Sequence, residues 1–394
     1  MISSKVLYTE EIDDLEAAAE ELTGQASGFE LGSSTVGIMF MDVDTEYEEL
    51  YDNLKEKWTF PLVAATAIGM LTGQGGYAKG GISVMLLTSS DCKFAVGMTE
   101  GLTVANHVEV ITKTYNELEK ELGEEAKLVL TYGAKAAELA GDDIIDTIDG
   151  LGKGVKIYGA FASDLFNFKQ YRVAFNDRLA SSEQAFILIS GNIEPKMISV
   201  QSISGKANFS YEVTQAKGHY IFRLGNGTFL EALEKSGLSS DKEIVAGEFI
   251  TTPFVTVLEK PGGIHVEAMR NLTYLNHEKG FGMFLGGVAE GSSLELGLLN
   301  ADDCKTSVAK AFDELLDWLA NEGSNCKTLI CNSCTARYLA LGNNGLVEAD
   351  AFKDRLPEGV SLMGLYSYGE FCPIEDHDKW CNVFHNSTFT ILCI

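Results

Sequence analysis

The sequence is poor in basic residues. It contains 30 Lys and Arg residues against 57 Asp and Glu residues, which leaves a net charge of −27 over 394 residues. Such an excess of negative charge repels phosphate backbones and anionic lipid at long range. We therefore expect neither nucleic acid nor a membrane among the partners.

Long hydrophobic runs are also missing, although the hydrophobic content of 45% is ordinary for a globular protein. No apolar stretch approaches the ~20 residues that a helix needs to cross a bilayer. The opening MISSKVLYTEEIDD has neither the basic flank nor the apolar core of a signal peptide. We expect a cytoplasmic protein whose 8 irregularly spaced cysteines are reduced.

One twelve-residue pattern occurs three times, as FPLVAATAIGML at 60–71, VKIYGAFASDLF at 155–166 and VSLMGLYSYGEF at 360–371. The copies share small residues at the fifth and eighth places and a turn former at the tenth: Ala64, Gly159 and Gly364; Ala67, Ala162 and Ser367; Gly69, Asp164 and Gly369. A strand that ends on Gly or Ala lets another backbone or a ligand approach closely. Gly159 and Asp164 are therefore candidate ligand-binding residues, and the alternative is that the small residues only allow a helix to pack on the sheet.

Each copy follows an apolar run and a helical pattern. The run begins 24, 27 and 31 residues before the motif, which is the length of a strand-helix-strand unit. Further apolar strands follow each copy. The sequence predicts an α/β to α+β fold with two lobes of mixed, largely antiparallel β-sheet, helices packed on the faces, and repeated strand-helix-strand-meander modules.

Several motifs together resemble one known family. CNSCTARYLALG, LMGLYSYGEFCPI and FHNSTFTILCI are similar to the C-terminal half of the FIST family, while VKIYGAFASDLFNFKQYRVAFND and YEVTQAKGHYIFRLGNGTFLEAL resemble its N-terminal half and the junction. The resemblance implies a bacterial, archaeal or eukaryotic sensory module that binds a small molecule such as an amino acid and has no enzymatic activity. Its implied partner is a histidine kinase or a cyclic-dinucleotide signalling protein.

The domain organisation follows from this resemblance and from a polar segment at 233–243 that interrupts the repeat. We predict a helical extension over 1–33, a FIST N-terminal-like domain over 34–235 and a FIST C-terminal-like domain over 236–394. We expect no output domain in this sequence. The oligomeric state is open between a monomer and a homodimer.

The third copy carries the candidate ligand site. Arg337 follows an apolar strand and has the forked geometry that suits a carboxylate, and Glu370 could meet an ammonium group. Together they would clamp an amino acid, and the alternative is a structural ion pair between them. Four other residues are candidates for the same site, because they lie near this pair in the sequence or open the last predicted strand: Cys334, Tyr368, His385 and Asn386.

Three other interpretations use the same residues. Some members of the family bind haem and sense nitric oxide, and here His or Cys would be the axial ligand. Cys334 with His385 as base and Glu370 as orienting group would make an amidase-like enzyme. Structural zinc would use the cysteines and histidines of the C-terminal region (Cys331, Cys334, Cys372, His377, Cys381 and His385), but the predicted strand points Cys331 and Cys334 to opposite sides. We expect no metal.

Overall fold

The computed structural model describes residues 2–135, 138–203, 205–238, 249–321, 326–376 and 379–394. Within these ranges the chain forms mixed and antiparallel β-sheets with helices on their faces. The predicted α/β to α+β class with repeated strand-helix-strand modules is confirmed. None of the helices in these ranges combines the length and the apolar character needed to cross a membrane.

The first module starts the chain. In order, it contains β1 (Ile2–Thr9), α1 (Leu15–Ala26), β2 (Ser34–Met41), α2 (Tyr47–Leu54), β3 (Leu62–Thr66), the hairpin β4 (Met70–Thr72) and β5 (Gly76–Ala78), and β6 (Ile82–Ser89). The segment 1–33, predicted as a helical extension, contains the expected helix as α1, and it also contains β1, which pairs along its whole length with β6.

The second module has the same order of elements. It contains β7 (Cys92–Met98), α3 (His107–Leu122), β8 (Leu128–Gly133), α4 (Gly141–Asp149), β9 (Lys156–Phe161), the hairpin β10 (Val173–Phe175) and β11 (Arg178–Ala180), and β12 (Gln184–Gly191). The two modules therefore repeat one strand-helix-strand-helix-strand-hairpin-strand unit.

The third module starts with β13 (Lys196–Gln201) and is then interrupted by an insertion. The insertion contains β14 (Gly205–Lys217), β15 (Tyr220–Leu224), β16 (Gly227–Thr228), α5 (Phe229–Lys235), β17 (Phe254–Lys260), β18 (Ile264–Arg270), β19 (Leu272–Asn276), β20 (Phe281–Phe284) and β21 (Ser293–Leu298). These strands form an eight-stranded antiparallel sheet of their own.

The third module resumes after the insertion. It continues with α6 (Ala301–Asn321), β22 (Thr328–Cys334), α7 (Thr335–Ala340), α8 (Leu346–Ala349), β23 (Ser361–Ser367), the hairpin β24 (Glu370–Asp376) and β25 (Lys379–His385), and β26 (Thr388–Cys393). The third copy of the sequence motif thus falls on β23 and its exit, as the first two fall on β3 and β9.

The three modules exchange their hairpins. The three six-stranded sheets have equivalent orders, β1-β6-β2-β3-β10-β11, β7-β12-β8-β9-β24-β25 and β13-β26-β22-β23-β4-β5. In each sheet a hairpin from another module pairs antiparallel with the motif strand: β10 with β3, β24 with β9 and β4 with β23. The second module thus donates to the first, the third to the second, and the first to the third.

One core is shared by all three sheets. The largest buried cluster contains side chains from each of them, such as Val36, Leu130 and Ile330. The other face of each sheet is covered by its own helices, as where Leu22 of α1 and Leu50 of α2 pack with Leu86 of β6. Because both faces are covered, the strands read as continuous apolar runs.

The predicted domain boundary at 235 falls inside the insertion. β14, before the boundary, pairs with β21, after it. Residues 239–248, which include part of the polar segment, lie outside the described residues. The division into 34–235 and 236–394 stays a prediction.

The small residues of the motif allow close contact between strands. A Cβ atom on Gly159 would lie 1.7 Å from the carbonyl oxygen of Thr131 in the parallel neighbour β8, and Gly159 has φ of 153°. A Cβ atom on Gly364 would lie 2.3 Å from the carbonyl oxygen of Cys331. The lack of a side chain at Gly159 therefore lets β9 lie close to β8. This is a contact between strands and not the packing of a helix on the sheet.

Replacing Gly159 with Ala should destabilise the fold, because the new methyl group would overlap the backbone of β8. We expect a loss of roughly 1–3 kcal/mol, as for overpacked cores, measured by the midpoint of urea unfolding. Gly24→Ala is the control: it lies in α1, has nothing within 4 Å of the added Cβ, and should be neutral or stabilising. Equal midpoints for the two variants would contradict this explanation of the motif.

Candidate functional site

The exits of the three motif strands meet around Ser163. Its backbone N donates to the carbonyl oxygen of Thr66 at 2.9 Å, and its Oγ donates to the carbonyl oxygen of Tyr366 at 2.5 Å. The backbone N of Ile68 in turn donates to Ser163 Oγ at 3.0 Å. Hydrogen bonds therefore join the three copies of the motif directly, at the points where the chain leaves each motif strand for another sheet.

Arg337 lies in α7 and its side chain is fully buried. Its Nε donates to Oε1 of Glu348 at 2.7 Å and its Nη1 to Oγ of Ser202 at 2.5 Å. Its Nη2 donates to the carbonyl oxygen of Cys304 at 2.9 Å. The alternative of a structural ion pair between Arg337 and Glu370 is wrong as to the partner, because the guanidinium of Arg337 pairs with Glu348.

Glu370 begins β24 and is also fully buried. Its Oε1 lies 2.6 Å from Oγ of Ser367, while its Oε2 has no hydrogen-bond partner within the described ranges. Burial raises the pKa of Glu370 well above its ordinary value, which favours the neutral acid. A neutral, enclosed carboxyl group is a poor partner for an ammonium ion. Because the charge of Arg337 is already compensated by Glu348, neither charge of the predicted clamp is available in this structure.

Cys334, His385 and Asn386 are enclosed as well, each no more than 2% exposed. Nε2 of His385 lies 2.9 Å from the carbonyl oxygen of Cys372, and burial lowers the pKa of His385 to about 4. Burial raises the pKa of Cys334, whereas a nucleophilic cysteine needs access and a thiolate. These residues fit neither the amidase-like site nor an axial haem ligand in an open pocket.

The fold brings Asp164 and Tyr368 into direct contact, and Asp164 organises the loop that follows β9. The Asp164 carboxylate accepts hydrogen bonds from Tyr368 Oη and from the backbone N of Phe168, Lys169 and Gln170. Although burial opposes it, these hydrogen bonds hold the pKa of Asp164 below its ordinary value. The Phe168 ring stacks on Tyr368 with centroids 4.4 Å apart. Asp164 therefore shapes the loop between β9 and β10.

The expectation that all cysteines are reduced is wrong for one pair. Cys326 and Cys393 form a disulfide with Cα atoms 6.1 Å apart, and the other six cysteines are free and buried. Among the described residues, no group of three or more His, Cys, Asp or Glu side chains could hold a metal ion. His377, which the zinc interpretation used, lies outside the described residues.

Open clefts lie instead at boundaries between modules. A cleft of about 740 Å³, the first–third cleft, has Lys5 and Tyr8 of β1 and Gln25 of α1 on one side. The turn at Gln74 and the segment from Asp354 to Leu362 form the rest of its wall. Asp354 and Lys5 contribute opposite charges to this one opening.

A second cleft of about 690 Å³, the first–second cleft, lies between the first and second modules. Its wall contains five aromatic side chains, an amide and the charged residues Lys55 and Glu121. The aromatic residues are Tyr51, Trp58, Phe60, Phe94 and Phe175.

The two clefts occupy equivalent positions in the repeat. Each is bounded by the edge strand, first helix and exchanged hairpin of one module, and by the segment before the motif strand of the module that receives the hairpin. At the third such junction, Lys156 binds Glu375 at 2.6 Å and lies over the Trp380 ring. Hairpin exchange thus generates one type of boundary with three different linings.

Comparison with known families gives the chain an assignment. A model of the FIST N domain matches residues 35–226, and a model of the FIST C domain matches residues 230–373. The chain belongs to the FIST family. FIST domains are sensory domains of signal transduction, and both halves of the FIST arrangement are present here.

Comparisons with curated proteins and with solved structures do not assign a more specific function to this FIST chain. No curated protein is similar enough to match it. Among solved structures it is similar to a crystal structure of a chorismatase, with 10% sequence identity and a TM-score of 0.37, over 100% of this chain and 98% of that chain.

The sequence did not single out the residues that line the clefts of the FIST chain. Lys5 lies in the segment predicted to be helical, and Asp354 lies just before the strand of the third motif copy. The position of each motif copy could have indicated these residues, because the segments just before the first and third copies line equivalent clefts. Whether the eight predicted site residues bind a ligand stays a prediction.

Replacing Arg337 with Met should destabilise the protein strongly, because Glu348 would remain as an unpaired buried charge. Breaking such a pair costs about 3–5 kcal/mol, and urea unfolding measures the loss. Arg355→Met is the matched control, since the Arg355 pair with Asp313 is exposed and is worth about 1 kcal/mol or less. Similar losses for both variants would contradict a structural role for Arg337.

Replacing Glu370 with Gln tests whether the side chain of Glu370 is protonated in the folded protein. Because burial raises the pKa of Glu370 above its ordinary 4.5, the folded chain holds this proton more tightly than the unfolded chain. The resulting stabilisation is full below the unfolded pKa and is lost as the pH rises through the folded pKa. Glu370→Gln should therefore gain stability relative to the parent between about pH 5 and about pH 8 in urea unfolding.

The exposed residue Glu358 supplies the control for this comparison. Glu358→Gln should follow the parent protein at both pH values. A stability difference between Glu370→Gln and the parent that does not change with pH would show that Glu370 is ionised in the fold.

Proposed function

We propose that this FIST chain is a sensor that binds an amino acid, or a similar small zwitterion, in the first–third cleft. One observation carries the proposal: Lys5 and Asp354 line the same cleft, and in the described part of the chain neither side chain has an ion pair or a hydrogen bond. An unpaired cation and an unpaired anion at one opening suit the carboxylate and ammonium groups of an amino acid.

The size and lining of the cleft agree with a small polar ligand. Its volume of about 740 Å³ lies within the roughly 300–1,000 Å³ of small-molecule sites. Gln74 lies in the β4–β5 turn and lines the same cleft, so its amide offers hydrogen-bonding groups to a ligand there. Tyr8 adds an aromatic surface for a side chain.

The position of the cleft suggests how binding is transmitted. Lys5 belongs to the first module and Asp354 to the third, so a ligand that contacts both favours the arrangement in which the two walls are close. A partner such as a histidine kinase or a cyclic-dinucleotide signalling protein would then respond to that arrangement. We propose recognition without turnover, since the thiol of Cys334 is buried and its pKa is raised.

A thermal-shift screen over the common amino acids tests the proposal. A ligand at 100 times its dissociation constant stabilises the folded protein by about 2.7 kcal/mol. Lys5→Met keeps the aliphatic stem and removes the charge, and Asp354→Asn suits the local φ of 61°. Each variant should weaken binding of the best amino acid roughly tenfold or more, which is about 1.4 kcal/mol.

Lys79→Met is the control, because Lys79 is exposed and lies outside the cleft lining. It should keep the shift of the parent protein. An amino acid that shifts the parent and both cleft variants equally would contradict the assigned site. A screen in which no amino acid shifts the parent would remove the proposed ligand class.

A further inference from the structure

We infer that the first–second cleft is a second, separate binding site, and that it takes an organic cation with an aromatic or apolar body. The five aromatic side chains that line it are buried or half-buried. The rings of Trp58 and Phe60 are stacked, with centroids 5.5 Å apart and an angle of 28° between their planes. Aromatic faces carry negative charge density and attract cations.

The charges of the cleft favour the same ligand. The cation in its wall, Lys55, is held by Asp52 at 2.5 Å, so its charge is compensated. Glu121 also lines the cleft and has neither an ion pair nor a hydrogen bond within the described ranges. The opening therefore has an uncompensated negative charge beside aromatic rings, in a chain whose net charge is −27.

The wall of the cleft is fixed before any ligand arrives. The exchanged hairpin β10–β11 turns at Asn176, whose Oδ1 accepts a hydrogen bond from the backbone N of Leu62 at 3.0 Å. The backbone N of Asn176 donates to the carbonyl oxygen of Leu62 at 2.9 Å, and Tyr47 Oη donates to the carbonyl oxygen of Asn176 at 2.6 Å. Such anchoring fixes the hairpin backbone next to Phe175 and lowers the entropic cost of binding.

The two clefts differ in the ligand that each can accept. The first–third cleft offers a free cation and a free anion, whereas the free charge of the first–second cleft is Glu121 alone. The carboxylate of a zwitterion would meet Glu121 there and be repelled. The inference is therefore independent of the proposed amino acid sensor, although the two sites occupy equivalent places in the repeat.

Fluorescence of Trp58 provides the test. Trp318 and Trp380 are the other two tryptophans of the chain, so replacing both with Phe leaves Trp58 as the reporter. Benzyltrimethylammonium, titrated into this protein, should change the fluorescence saturably. Benzyl alcohol, which lacks the charge, should bind roughly tenfold more weakly, and phenylacetate, which reverses it, should give no saturable change.

Variants assign the response to the cleft. Glu121→Gln removes the charge and should weaken benzyltrimethylammonium binding roughly fivefold, and Phe94→Ala, which removes an aromatic face, should also weaken it. Glu20→Gln, an exposed change on α1, and Lys5→Met, in the first–third cleft, should leave it unchanged. Equal binding of phenylacetate, an unchanged affinity in Glu121→Gln, or no saturable response to the cation would each overturn the inference.

Discussion

The exchange of hairpins between the three modules is the constraint on which the rest of the structure depends. No six-stranded sheet is complete without two strands of another module, so the modules form one interlocked body. After each motif strand the chain passes to another sheet, and the three exits lie at the same place, where Ser163 joins them by hydrogen bonds. Only small residues fit beside such close backbones. The first–second and first–third clefts lie elsewhere, at boundaries between modules.

Two fully buried arginines are held in ion pairs. Arg337 holds Glu348 within the third module. Arg270 of the insertion is fully buried and binds Asp142 of the second module at 3.1 Å, which ties the insertion to the repeat. Buried ion pairs of this kind add little net stability, and we interpret them as devices that select one arrangement of the chain.

The repeat, the strand-helix-strand units and the fold class could be predicted from sequence, because apolar periodicity and glycine spacing are local signals. The exchange of hairpins could not, since strand pairing between distant segments leaves no local mark. The same limit explains the error at Arg337: many carboxylates could have been its partner, and the fold brings Glu348 to it. Cys326 and Cys393, 67 residues apart, gave no sign of their pairing for the same reason. Lys5 and Asp354 line one cleft only because the first module donates its hairpin to the sheet of the third.

The central claim is that ligands bind where modules meet and not inside the core where the motif strands converge. A crystal structure of the protein grown with its most stabilising amino acid tests this most directly. The account predicts electron density for the ligand in the first–third cleft, with its carboxylate at Lys5 and its ammonium group at Asp354. Ligand density enclosed beside Arg337 and Glu370, with the cleft empty, would contradict it.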